Sequence, residues 1–513
     1  MPKKNQLIKQ IFLSLISGFA LASMICALSE GIFWLGWARI GVLASLLVFT
    51  SIWLWRKLSG GKVLAVLLVT CFIVRILLGV FLALGLPEFG FNNPVQDGGY
   101  VFSDAYERDQ AAFQVSISGD QWLQNLKEFR ASDQYGGLLA FSAFIYSVFS
   151  PEVHRPLLIV LLSAFAMTFG LAFLFSAVTR RWGGKVAIAA CWVYALYPEG
   201  VLLGSSQMRE PFLIALACLA FWVCLDWKVR PIKTMILSIL IVGVTFVISV
   251  PTAGVHLILI AGLIFFDWLS SQSKPGIRRG ALAVFLVSMI ATGILGWVWL
   301  KTNLAYEFYL TESSSGWIAQ LLDEVGNRWQ VPFLTFYGVS QPLLPAALVY
   351  PSKAIWMGIA IFRALGWYLV LPFLAAAVFA VFKAEKPENR SMLVFTYAAL
   401  IVWILISSLR GGGDQWDNPR YRTIFLPWMS LLVGWLWLRV REGKLPWFWR
   451  VAAIEAVFVL VFFNWYLYRY YTLGLNIWYG HMAMIVVASA VLILIGGFVW
   501  DRTKKRPAIA GIK

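Results

Sequence analysis

From Phe102 to Asp109 the chain reads Phe-Ser-Asp-Ala-Tyr-Glu-Arg-Asp. Asp104, Glu107 and Asp109, with Arg108 among them, crowd into the first long polar segment, roughly 86–134, after three apolar runs that could each cross a bilayer. Charge held this close to hydrocarbon is costly and calls for a function. On a helical turn Asp104 and Glu107, three residues apart, share a face. A carboxylate there can take the proton of an acceptor hydroxyl, which is general-base chemistry. The same pattern also fits a helix cap, since Asp before Ala-Tyr-Glu resembles a capping box.

Two later clusters carry complementary chemistry. Tyr197-Pro198-Glu199-Gly200 is followed by Ser205-Ser206-Gln207-Met208-Arg209-Glu210-Pro211. A second acidic cluster on the same side as Asp104 could position a charged donor or a cation. Pro211 suits the first turn of a helix and Glu210 its positive end. The third cluster is Arg420-Tyr421-Arg422, with Arg410 and Arg363 also placed at outer helix ends. Guanidinium forks match phosphate oxygens and stay charged near lipid, so these residues could hold a lipid-phosphate leaving group or contact phospholipid heads.

The elements that must position these residues are membrane helices. Of 513 residues, 60% are hydrophobic and 13% charged, against roughly a quarter charged in a soluble domain. Apolar windows of about 20 residues predict an all-α polytopic membrane protein rather than a barrel. The net charge of +17 falls in small groups between apolar runs. That is the positive-inside pattern, and it argues against nucleic acid as a partner. All five cysteines lie inside apolar runs, which offers no disulfide framework or metal knuckle.

The expected spans are 11–28, 32–55, 63–85, 157–178, 186–203, 211–227, 234–250, 255–269, 281–300, 363–382, 391–409, 423–440, 451–470 and 482–500. The first is longer than the apolar core of a signal peptide and is therefore read as a helix. The segment 136–150 is apolar but shorter than the ~20 residues a span needs. Treating it as an extracytoplasmic juxtamembrane helix keeps Arg180, Arg181, Lys185, Lys228, Arg230 and Lys233 on the inner side, as the charge bias requires. The result is about fourteen helices with both termini cytoplasmic, a multi-pass protein of the plasma (inner) membrane, and all three clusters outside. The expected organisation is an N-terminal hairpin (1–61), a catalytic module (62–382) with outer loops 86–156 and 301–353, and C-terminal helices (383–513) with outer loop 410–422. The tail after Asp501 reads as a basic anchor near anionic lipid.

Other signals are weaker. His154, His256 and His481 lack ligand spacing. Arg39 can snorkel outward, whereas Arg75 lies deeper and should find a partner in the bundle. Glu455 is expected to pair with nearby Arg450. Gly411-Gly412-Gly413 lacks the Lys-Ser/Thr of a phosphate-binding loop.

Ser103-Asp104-Ala105-Tyr106 running into Ala111-Ala112, the surface helix 136–150, Pro198 through Ser205 to Arg209-Glu210, and Arg420-Tyr421 with Pro427 together resemble the GT-C superfamily of polytopic glycosyltransferases, near its protein O-mannosyltransferase and aminoarabinose transferase branch. The resemblance covers roughly 62–440. It departs from the branch in having Ala105 where a second acid often follows, two extra spans at the start, and Asp133-Gln134-Tyr135 in place of a Lys before the surface helix. It implies a GT-C fold and a polyprenyl-phosphate-linked sugar as donor, with transfer to an extracytoplasmic acceptor (glycan, lipid or protein) and inversion at the anomeric carbon. Asp104 would be the base, with Glu107 its possible partner. Glu199 and Glu210 would position donor or acceptor, Arg209 would fix Glu210 or bind phosphate, and Arg420 and Arg422, with Arg363 in reserve, would hold the departing phosphate. No cofactor is required; the acids could hold a divalent cation, but no spacing demands one. The rival readings are a lipid-linked sugar flippase or transporter, a polysaccharide polymerase or ligase, and a silent scaffold. A transporter would usually show internal repeats and mid-membrane charge, and no repeat is apparent here.

Overall fold

Prolines open many of the helices. Pro156, Pro198, Pro211, Pro231 and Pro251 each sit in a first turn, where a missing N–H costs nothing. The computed structural model describes residues 2–29, 31–58, 60–118, 136–314, 322–324, 326, 328–410 and 417–504. Asp133-Gln134-Tyr135, Trp317, Gly411-Gly412-Gly413 and the tail from 505 onward lie outside the described residues.

The described residues form helices joined by turns, with no strand among them. Ten of these helices are long and apolar enough to cross a membrane, so the chain is a multi-pass membrane protein. The other four expected spans fall on helices of different kinds. One covers Gly184–Leu196 and Pro198–Gly204, a pair bent by 58° that would make an eleventh span if counted as one. The others are Glu210–Cys224, Pro275–Ser314 and Leu426–Arg441. The span expected at 255–269 is a 22-residue helix, Val250–Ser271, because Pro251 occupies its first turn instead of ending it. Helix Gly137–Phe149 has 13 residues. It reaches about 20 Å at 1.5 Å per residue, too short for a ~30 Å hydrocarbon core.

The chain divides into two compact units. The first holds residues 1–294, 387–403 and 420–434; the second holds 295–386, 404–419 and 435–513. Helix Pro156–Trp182 is the spine of the first unit. Of its most apolar window 83% is buried, against 17% for Pro231–Ile248. It packs on Glu210–Cys224, Gly61–Phe89 and Gly184–Leu196. Small residues permit such closeness: a Cβ at Gly170 of the spine would lie 3.0 Å from Ala215 Cα, and one at Gly434 in helix Leu426–Arg441 would collide with the backbone of Ala190 in helix Gly184–Leu196.

Polar groups separate the two ends of this spine. At its C-terminal end Arg180 meets Asp226 at 2.7 Å, while Arg181 (2.6 Å) and Lys228 (2.7 Å) meet Asp267. At its N-terminal end Pro156 O accepts from Gln207 Nε2 at 3.4 Å. A 27-residue helix keeps these ends about 40 Å apart.

Arg75 is fully buried in helix Gly61–Phe89. It donates to Cys71 O (2.8 Å), Ala195 O (3.0 Å) and Tyr194 O (3.3 Å). The last two are carbonyls at the end of helix Gly184–Leu196, left without helical partners where Pro198 forces the break. Its partners are therefore carbonyls and the Cys71 thiol, which makes it a clamp on the bent pair. Gly204 makes room for it, since a Cβ there would lie 2.6 Å from Arg75 Cδ. Arg39 is half exposed and reaches Val148 O (3.5 Å) at the end of helix Gly137–Phe149 and Glu152 (4.0 Å) just after it.

In the second unit one expectation is corrected. Arg450 pairs with Asp501 through two contacts of 2.8 and 2.6 Å, not with Glu455. A fork-to-fork carboxylate contact across helices Trp447–Tyr471 and Tyr479–Lys504 outcompetes a neighbour on the same helix. Glu455 Oε2 is buried with no hydrogen-bond partner among the described residues.

Candidate functional site

Asp104 stands in the first turn of helix Ser103–Ser118. Arg108, one turn on, faces the same side and places Nη2 3.4 Å from Asp104 Oδ2. Arg108 Nη1 donates to Gln207 O at 3.2 Å, linking the first cluster to the second. From the third cluster, 316 residues away in sequence, Arg420 Nη1 donates to the same Asp104 Oδ2 at 3.1 Å. Arg420 Nε lies 3.2 Å from Glu210 Oε1, and Arg209 Nε lies 3.7 Å from that oxygen. Three distant segments of the first unit thus meet in one chain of charges, Arg108–Asp104–Arg420–Glu210–Arg209.

Burial is uneven along that chain. The Glu210 side chain is 1% exposed and that of Arg420 8%, whereas Asp104 keeps 43%. Glu210 Oε2 is buried and has no hydrogen-bond partner among the described residues. Asp104 is therefore the most exposed of the three. The Arg420 segment is held from behind by Trp403, whose Nε1 donates to Tyr421 O at 3.0 Å and whose ring stacks on Phe425 at 5.0 Å. Leu426 packs against Gly200, where a Cβ would come within 2.7 Å of Leu426 Cδ2. Glycine at 200 thus lets the second and third clusters approach.

The remaining expected residues fall as follows. Glu199 is buried in the first turn of helix Pro198–Gly204. Arg422 is fully buried, two residues beyond Arg420. Glu107 is exposed on its helix, and no ion pair among the described residues includes it. Arg363 is not at a helix end as expected: helix Ala354–Ala377 of the second unit begins nine residues before it, and the side chain is buried there. No group of three or more His, Cys, Asp or Glu side chains that could hold a metal ion occurs among the described residues.

Arg108 received no role from sequence, although its spacing from Asp104 carried the signal. A second group was not legible at all. Asp109 is 2% exposed. It accepts from Tyr100 Oη at 2.6 Å and from Tyr146 Oη at 2.8 and 2.9 Å, with His154 Nε2 at 2.9 Å. The two phenols are the donors to this carboxylate. Phe113 stacks on His154 at 4.6 Å. Burial, reinforced by the Asp109 charge, pushes the phenols of Tyr100 and Tyr146 well above the ordinary tyrosine range, which keeps them protonated as donors. This knot ties the helix carrying Asp104 to helix Gly137–Phe149, which carries Tyr146. Tyr146→Phe should lower stability by about 1.5–3 kcal/mol, the worth of a hydrogen bond to a charged group. Denaturation of the purified protein in mixed micelles would measure it, and Tyr100→Phe combined with Tyr146→Phe should be non-additive because both serve one carboxylate.

No protein-family model matches the chain, and no curated protein matches it.

Proposed function

We propose that this protein is a membrane glycosyltransferase of the GT-C type with about fourteen transmembrane helices, moving a sugar from a polyprenyl-phosphate donor to an extracytoplasmic acceptor. The observation that carries this reading is the meeting of Asp104, Arg420 and Glu210 within 3.2 Å contacts at the end of the spine opposite the Arg180-Arg181 cluster. Positive-inside bias assigns Arg180-Arg181 to the cytoplasm, which puts Asp104 on the far side and both termini inside the plasma (inner) membrane. Nucleotide sugars are not available there, so a lipid-borne donor entering from the bilayer is the chemically sensible one.

The acceptor hydroxyl attacks the anomeric carbon and the bond from that carbon to the phosphate oxygen breaks. Asp104 takes the proton. The charge that gathers on the phosphate is met by Arg420, with Arg422 close along the same segment. Glu210 holds Arg420 in place, and Glu199 lies in the adjoining turn. Attack opposite the phosphate inverts the anomeric centre.

A lipid-linked sugar flippase is the second reading, favoured by the 58° break in a membrane helix, a feature of transporter binding sites. The carbonyl partners of Arg75 weigh against it, because they satisfy the break internally. Mass spectrometry of lipid-linked sugars and surface glycans, with and without the gene, combined with a membrane-impermeant probe of which leaflet holds the donor, separates the two. A transferase leaves donor accumulated and a glycan lacking one sugar, on a donor already facing outward. Donor retained on the cytoplasmic leaflet would instead support the flippase.

A further inference from the structure

Arg108 and Arg420 share one carboxylate oxygen at the front and are anchored separately behind. Arg108 Nη2 and Arg420 Nη1 lie 3.4 and 3.1 Å from Asp104 Oδ2. Behind them, Arg108 Nη1 donates to Gln207 O at 3.2 Å, and the Arg420 guanidinium is ion-paired with Glu210, Nε to Oε1, at 3.2 Å. The rear contact of Arg420 is buried, with Glu210 1% exposed, while the front one involves an Asp104 that is 43% exposed. A water-accessible ion pair is weak and readily exchanged, whereas a buried one is hard to break. Two fixed guanidiniums converging on one anionic oxygen also match the geometry by which arginines bind phosphate.

We propose that Arg108 and Arg420 form a phosphate seat in which Asp104 is the resident stand-in, displaced when a phosphate group arrives. The proposal rests on the lipid-phosphate reading of this site. The donor's phosphate takes the front of both guanidiniums, and the released Oδ2 of Asp104 becomes available to the acceptor hydroxyl. When the bond between the anomeric carbon and the phosphate oxygen breaks, its electron pair leaves on that oxygen, held by Arg108 and Arg420, and the hydroxyl proton passes to Asp104. The base is thereby freed only when a donor is seated. Arg108, absent from the roles read in sequence, becomes the second half of the seat.

The idea makes an uncommon demand: removing the base should tighten phosphate binding. The full chain in nanodiscs is titrated with farnesyl phosphate, with inorganic phosphate, and with farnesol as a control lacking the phosphate. Asp104→Asn and Asp104→Ala should bind farnesyl phosphate roughly tenfold more tightly than the native protein, because the internal competitor has lost its charge in the first and is gone altogether in the second. A gain of affinity cannot come from misfolding. Arg108→Gln and Arg420→Gln should weaken it tenfold or more, and farnesol should respond to none of the substitutions. Inorganic phosphate following the same order at much lower affinity supports a lipid headgroup as the ligand. Equal affinity for inorganic and farnesyl phosphate would keep the exchange but assign the seat to free phosphate, overturning the lipid-donor reading. Unchanged or weaker binding by both Asp104 variants overturns the exchange, while losses in the arginine variants would leave the phosphate reading standing. Arginine variants that bind as well as the native protein sink both.

Discussion

Asp104→Asn should abolish sugar transfer while leaving a folded protein. The side chain is 43% exposed, and asparagine keeps its shape together with an oxygen that can accept from Arg420, so the helix and its neighbours have no reason to move. What is lost is the ability to take a proton in the transition state, typically a factor of ~10²–10⁴. The measurement is transfer from a labelled polyprenyl-phosphate sugar in vesicles, alongside a size-exclusion profile of the purified variant. Transfer at the native rate would remove Asp104 from the mechanism, because nothing in the fold would compensate for the missing base. Glu107→Gln belongs in the same assay. Glu107 lies exposed outside the charge chain, so it should affect transfer much less than Asp104 does.

The second large effect falls on stability. In Glu210→Ala the carboxylate between Arg420 and Arg209 disappears from a position only 1% exposed. Truncating one partner of a buried charge pair costs about 2–5 kcal/mol, much of it from the charge left behind. Arg420 retains its contact with Asp104, so a loss near the middle, about 3 kcal/mol, is expected. Glu210→Gln should cost less, because the amide keeps the volume of the side chain and a polar group beside the guanidinium. Denaturation in mixed micelles reads the difference, and transfer should fall with both variants as Arg420 loses its rear anchor. Native stability in Glu210→Ala would mean that the pair contributes no net free energy, and that Arg420 is positioned by its other neighbours.

The three charge clusters could be found in sequence because charge is conspicuous against apolar runs. Asp104, Glu210 and Arg420 each stand at a helix end, where an ionisable group next to hydrocarbon is costly enough to stand out. Arg108 could have been assigned with them, since residues four apart on a helix meet. The Asp109 knot could not. Its partners Tyr146 and His154 lie 37 and 45 residues away, one on the short helix Gly137–Phe149 and one in the turn after it, and no spacing rule joins a tyrosine to a carboxylate at such range. The partner of Glu455 was misread for a related reason. Proximity along one helix suggested Arg450, but a second helix brought Asp501 with better geometry.

By itself, the order of residues determined that the chain is helical and crosses a membrane many times, because apolar runs of bilayer length have few other ways to satisfy their backbones. It also determined where charge must break those runs. Only the tertiary structure decided that Gly184–Leu196 and Pro198–Gly204 bend apart under the Arg75 clamp, and which acid each arginine takes. Those outcomes depend on a few ångströms of packing, such as Leu426 seated on Gly200 and Gly434 against Ala190. Contacts of that kind fall between segments far apart in sequence, where a linear pattern carries no distance.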